Sequence, residues 1–276
     1  MKILLGFIAL LSIAFFMGAQ TMPYPGSAFV TVVSPYSLVQ WSGYTATTAS
    51  TSISVVLCGP GGVSNGSTCT SGTPTPPAVG DFVIVGLVYS GTVTLSGITC
   101  SNNAPLPVNL LVNSTANSRI SEWTWPASSY LVTSQGGGST ALQLATYVCS
   151  YSGTSRIAAI IVGDYKNFAL VPGGNISSGI SGTASTATLT PTTTLGSSPW
   201  LVGIIGTEAA KNFASCPGSN CSGYTGGPTT LEGQVACSSN CAVGLIDSGG
   251  ITTASGIGAG WTGGIAYVIL GAEIDQ

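Results

Sequence analysis

The amino-acid sequence predicts an all-β protein, an antiparallel β-sandwich stabilised by disulfides. Three observations predict it. Short apolar or alternating runs rich in Val, Ile, Thr and Tyr recur along the 276 residues. Clusters of Gly, Ser, Asn and Pro separate them, so long helices have no room to form. Eight cysteines, an even number, stand downstream of an apolar leader.

The leader comes first. Met1-Lys2 is followed by an apolar run over residues 3–16 and by Met17-Gly18-Ala19, a charged start, a hydrophobic centre and a small residue suited to cleavage after Ala19. Residues 1–19 therefore read as a signal peptide. A retained anchor is the alternative, but the run is shorter than the roughly 20 apolar residues that a spanning helix needs. A type IV pilin leader is a further option, although no basic segment with a clear processing site precedes the run. Export to the extracellular space or cell surface, with no membrane span after cleavage, is the expectation.

Residues 20–276 read as a single β-sandwich domain. The Pro-rich stretch 73–77 either sets off a small N-terminal region, 20–72, or forms one loop. Strands are expected at 28–33, 51–57, 81–89, 93–98, 108–112, 141–148, 156–162, 200–205 and 265–270. Two of them, Phe82-Val83-Ile84-Val85 and the run from Ile157 to Val162, are apolar on both faces. Such strands are either central and covered on both sides within the chain, or they present an outer face to a partner.

The cysteines are Cys58, Cys69, Cys100, Cys149, Cys216, Cys221, Cys237 and Cys241. Spacing suggests Cys58 with Cys69 around a Gly-rich loop, and Cys216 with Cys221 and Cys237 with Cys241 around tight turns. Cys100 and Cys149 remain to join two strand ends. Zinc is disfavoured, because no C-x₂-C spacing and no histidine occurs.

Charge narrows the function classes. Charged residues make up 5% of the chain, far below the quarter or so of a typical soluble domain. Once Lys2 is removed, four basic residues face eight acidic ones. Arg119, Arg156, Lys166 and Lys211 are scattered singly, which argues against nucleic acid. With few groups to titrate, tolerance of acid is expected.

From Asp81 onward the order of features resembles a diffuse group of exported microbial β-sandwich domains of jelly-roll type. The matching pieces are Val79-Gly80-Asp81-Phe82-Val83-Ile84-Val85-Gly86, Ile161-Val162-Gly163-Asp164-Tyr165, Pro199-Trp200-Leu201-Val202-Gly203 and Gly260-Trp261, spread over about residues 78–274. Where the group carries an Asp-containing turn ending in Gly-Asn, this chain has Cys100-Ser101-Asn102-Asn103-Ala104. The resemblance implies a scaffold rather than a chemistry.

Catalytic options are few. Without histidine, Ser-His-Asp and Cys-His triads are excluded. A Ser-Lys pair would have to use Lys166 or Lys211, and neither sits in a nucleophile motif. Paired carboxylates could run glycoside hydrolysis, with Asp81, Glu122, Asp164, Glu208, Glu232 and Asp247 as candidates. Loop-solvated or strand-end acids are the plainer account, so no enzyme and no cofactor is expected. Calcium would need a cluster of acids such as Asp-x-Asp-x-Asp, which does not occur.

A binding signal lies in Ser121-Glu122-Trp123-Thr124-Trp125-Pro126. On a strand, Trp123 and Trp125 share one face and could stack on sugar rings, with Glu122 nearby for hydroxyl groups. Both indoles filling the core is the simpler alternative. Sequons at Asn65, Asn113 and Asn175 would place glycans on surface loops, and a fourth at Asn220 competes with a disulfide at Cys221. The expected function is that of a secreted or cell-surface structural or adhesive protein, self-associating through addition of a segment such as 28–33 to a neighbour's sheet. Binding of cell-surface glycans through Trp123 and Trp125 is the alternative, and a glycosidase-like enzyme the third reading.

Overall fold

The structure, a computed structural model, describes residues 37–78, 81–89, 96–101, 127–131, 145–152, 157–166, 169–191, 200–237, 241–249 and 255–275. The leader, the expected strands 28–33 and 108–112, Glu122, Trp123, Trp125 and Asn113 lie outside the described residues. All that is described belongs to one compact unit, Pro35–Gln276.

Among the described residues there are fifteen strands and no helix. They are β1 (Ser37–Thr45), β2 (Ser52–Val56), β3 (Val63–Ser64), β4 (Cys69–Ser71), β5 (Phe82–Tyr89), β6 (Ser96–Ser101), β7 (Ala127–Leu131) and β8 (Thr146–Ser152). There follow β9 (Ala158–Lys166), β10 (Ala169–Leu189), β11 (Trp200–Thr207), β12 (Ala214–Ser215), β13 (Thr230–Cys237), β14 (Cys241–Asp247) and β15 (Ile257–Asp275). Every pairing among them is antiparallel.

Three sheets stack, so the expected sandwich carries an extra layer. The central sheet has the order β1-β9-β5-β7. On one side lies the sheet β2-β8-β6, and on the other the larger sheet β10-β15-β11-β14-β13 with β12 attached to β15. A small hairpin, β3-β4, completes the set.

The reason for the third layer is written in β5 and β9. Side chains alternate along a strand, so Phe82, Ile84 and Val88 leave one face of β5 while Val83, Val85, Leu87 and Tyr89 leave the other. The first group joins Ile161 and Tyr165 of β9 and meets Val202, Ile204, Val243 and Leu245 of the larger sheet. The second joins Ile160 and Val162 and meets Ile53, Val55, Tyr147 and Cys149 of the β2-β8-β6 sheet. Each fully buried Val, Ile or Phe contributes roughly 1.5–3 kcal/mol, which makes cover on both faces strongly favourable. The doubly apolar strands are thus covered within the chain, by a sheet rather than by loops. A third cluster on the far face of the larger sheet packs Leu201, Ile205, Ile246 and Ile269 around Trp261. Phe213 and Tyr267 meet the Trp261 ring edge-on, with centroids 5.9 and 5.4 Å away.

Close approach of the central and larger sheets depends on Gly86. A Cβ there would lie 2.6 Å from Cγ2 of Ile204, nearer than packed carbon atoms come.

Disulfides join Cys58 to Cys69, Cys216 to Cys221 and Cys237 to Cys241, as the spacing suggested. The last closes the β13-β14 hairpin at its first residue pair. Cys149 is disulfide-bonded as well, and the backbone register sets Cys100 directly opposite it between β6 and β8.

Candidate functional site

Two features of this scaffold have chemical character: two carboxyl clusters that meet consecutive residues at the end of β9, and a groove along the β1 edge.

The clusters begin with two consecutive residues of β9. Asp164 and Tyr165 are completely buried, and by alternation they leave opposite faces of the strand. Asp164 enters the space shared with the β2-β8-β6 sheet. Its Oδ2 accepts a hydrogen bond from Gln40 Nε2 at 2.9 Å. The same Gln40 amide donates to the Thr75 carbonyl at 3.0 Å, and its Oε1 accepts from Gly59 N at 3.0 Å. Asp164 Oδ1 meets no N–H or O–H group. The neighbouring carboxyl of Asp164 is that of Asp81, which acts on it through charge and hydrogen bonding. Asp81 is itself 3% exposed and accepts the Ala78 N–H at 2.7 Å. Two acceptors can share a hydrogen bond only with a proton between them. Burial, the dominant cause, together with the Asp81 charge pushes Asp164 up to about 7, against the opposing pull of Gln40.

Tyr165 enters the other space, where its hydroxyl donates to Asp247 Oδ2 at 3.2 Å. Asp247 ends β14 and is 1% exposed. Its Oδ1 accepts from Gly249 N at 2.7 Å. Here too the neighbour is a carboxyl, since Glu232 of β13 is hydrogen-bonded to Asp247. Burial first, then the Glu232 charge, pushes Asp247 up to about 7. Burial also raises Glu232, partly offset by its hydrogen bond with Asp247. Tyr165 is raised well above the usual phenol value by its burial.

Four of the acids considered for glycoside hydrolysis are therefore brought together as Asp81 with Asp164 and Glu232 with Asp247. Within each pair the two carboxyls act on one another's protonation. Glu208 stands apart, accepting the Ala266 N–H at 3.4 Å. Lys211 donates to the Thr262 carbonyl at 2.9 Å. No cluster of three or more potential metal ligands occurs among the described residues.

The groove lies beside β1, which is the last strand of the central sheet among the described residues. A cavity of about 250 Å³ is lined by Trp41, Ser42 and Gly43 of β1, by residues 61–64 leading into β3, and by Val235 of β13. The Trp41 indole lies against Gly233, where a Cβ would come within 2.5 Å of three ring atoms. Ser42 Oγ is buried without a partner at this wall. Val63, 55% exposed, stands at the mouth. Sequence reasoning placed an aromatic platform at Trp123 and Trp125 and did not single out Trp41. The signal for it is a lone Trp in a strand whose neighbours, Ser42 and Gly43, are too small to cover it.

Of the sequon residues, Asn65 is exposed in the β3-β4 turn, where its N–H donates to the Thr68 carbonyl at 2.8 Å. Asn175 lies not in a loop but within β10, opposite Ala272, because the Gly- and Ser-rich segment around it pairs with β15. Asn220 has its carbonyl engaged by Thr186 Oγ1 at 3.1 Å, beside the Cys216–Cys221 bridge.

Fold and site together define a disulfide-bonded, all-antiparallel β protein suited to an oxidising environment. Comparison of the chain with family profiles, with curated proteins and with solved structures finds no match.

Proposed function

We propose that this chain is a secreted or cell-surface structural protein with adhesive duty, whose copies join by strand addition. The observation that carries the reading is the groove along β1. An edge strand offers unpaired N–H and C=O groups, and an extended segment laid beside it gains a ladder of main-chain hydrogen bonds. Gly43, Gly61 and Gly62 keep the walls low, Trp41, Val63 and Val235 supply apolar contacts, and the 250 Å³ cavity suits small or β-branched side chains. The segment 28–33, Ala-Phe-Val-Thr-Val-Val, has that composition and is the proposed donor from a neighbouring copy. Disulfides and a nearly charge-free surface favour persistence over turnover, and the exported sandwich group that the sequence resembles also implies a scaffold.

The test is the size of the full secreted chain by sizing column and electron microscopy. Oligomers or filaments are expected, and they are expected to fall apart on deletion of residues 20–35. A Val63→Lys substitution puts a charge at the groove mouth at a site exposed enough to leave stability within about 0.5 kcal/mol. It should weaken assembly without changing the melting temperature. Assembly that survives the deletion discards strand donation, and a monomer at high concentration discards self-association.

A further inference from the structure

We propose that the folded domain is proton-requiring: its two carboxyl pairs, buried Asp81 with buried Asp164 and half-buried Glu232 with buried Asp247, each hold one proton in the native state, so that the fold is firmest in acid and loosens toward neutral pH. This goes beyond tolerance of acid, and it stands whether or not copies of the chain assemble.

The geometry is that of paired acceptors. Asp164 faces Gln40 from β1 and Asp81 from the turn before β5, and its Oδ1 finds no N–H or O–H partner. Asp247 faces Tyr165 from β9, Glu232 from β13 and the Gly249 N–H. Among the described residues, the charged neighbours acting on either pair are the partner carboxyls, with no lysine or arginine among them. A carboxylate pair buried without a cation cannot ionise twice at tolerable cost, since each charge is desolvated and repelled by the other. Keeping one proton turns the repulsion into a hydrogen bond. Asp164 leaves the face of the central sheet turned toward β2-β8-β6, while Asp247, on β14 of the larger sheet, meets Tyr165 on the opposite face, so each interlayer space holds one such pair.

The direction of the pH dependence follows. In the unfolded chain these aspartates release their protons near pH 4, as ordinary aspartates do. In the native state they keep them up to about pH 7. Between those limits the folded protein binds more protons than the unfolded one, so stability falls as pH rises. The folding equilibrium loses about tenfold per pH unit for each retained proton, hence up to about 100-fold per unit for two. Below pH 4 and above pH 7 these groups add no further slope.

Thermal unfolding of the full oxidised chain across pH 3 to 8.5 tests this, together with the double variant Asp164→Asn, Asp247→Asn. An amide keeps a hydrogen-bond donor toward the partner carboxylate and cannot ionise. The wild type should melt progressively lower from pH 4 to 7 and then level off, while the double variant should be nearly flat across that window and more stable than wild type at pH 8. Infrared spectra of the folded wild type at pH 6 should show the carbonyl stretch of protonated carboxyl groups, which surface acids lack at that pH. Should the variant not fold, the infrared result still decides. Absence of protonated carboxyl absorption at pH 6, or a wild-type melting temperature that is flat or rises between pH 4 and 7, overturns the proposal.

Discussion

Gln40 ties together three parts of the chain that are distant in sequence. Its amide group reaches Asp164 in β9, the Thr75 carbonyl in the Pro-rich stretch and the Gly59 N–H beside the first disulfide. Gln40 itself is only 3% exposed, and Asp164 and Gly59 beside it are buried. Replacing Gln40 by Leu keeps the volume but orphans a donor, an acceptor and one carboxyl oxygen, each worth about 1–3 kcal/mol when buried. Gln40→Leu is therefore expected to lose at least about 2 kcal/mol, read as a lower urea midpoint with unchanged slope. Little of this was legible beforehand. The acids were recognised only as scattered candidates, although Asp81, Asp164 and Asp247 each abut an apolar strand with no polar residue to share its exposure. That position is the trace of burial. Which acids meet was hidden, because the partners lie 83 and 15 positions apart and only the pairing of β5 with β9 and of β13 with β14 closes those gaps.

Among the elements, the strands read most directly were those with unbroken apolar runs. β5, β9 and β11 fall where Val and Ile accumulate, since burial on both faces removes any need for alternation. β1 and β10 escaped, because Gln, Ser and Gly dilute them and neighbouring strands define them instead. β14 was concealed behind Cys237 and Cys241, read as a tight turn but in fact the start of a hairpin. The contact between layers is decided by small residues that no strand pattern marks. Gly86→Ala drives a methyl group into Ile204, and overpacking of this kind costs about 1–3 kcal/mol. Guanidinium unfolding should show that loss. Combining it with Ile204→Ala, which vacates the space, should cost less than the two single changes together.

For the molecule as a whole, the stack has three covered apolar layers, several cross-links and hardly any ionic surface. Cross-links act chiefly on the unfolded chain, and a loop the size of that between Cys58 and Cys69 is worth roughly 3 kcal/mol. Reduction of the intact chain with a phosphine should lower the melting temperature by at least about 5 °C and expose it to proteolysis. An unchanged melting temperature would mean that the cores alone hold the stack.

The order of residues alone determined the class of fold, the cysteine pairs that close short loops and the scarcity of charge, because these depend on local pattern and composition. Only tertiary structure decided that a third sheet covers the central one, that Trp41 borders an open groove and that four acids share protons in pairs. Those outcomes depend on which strands stack, and stacking sets the distance between side chains that the linear chain leaves undefined.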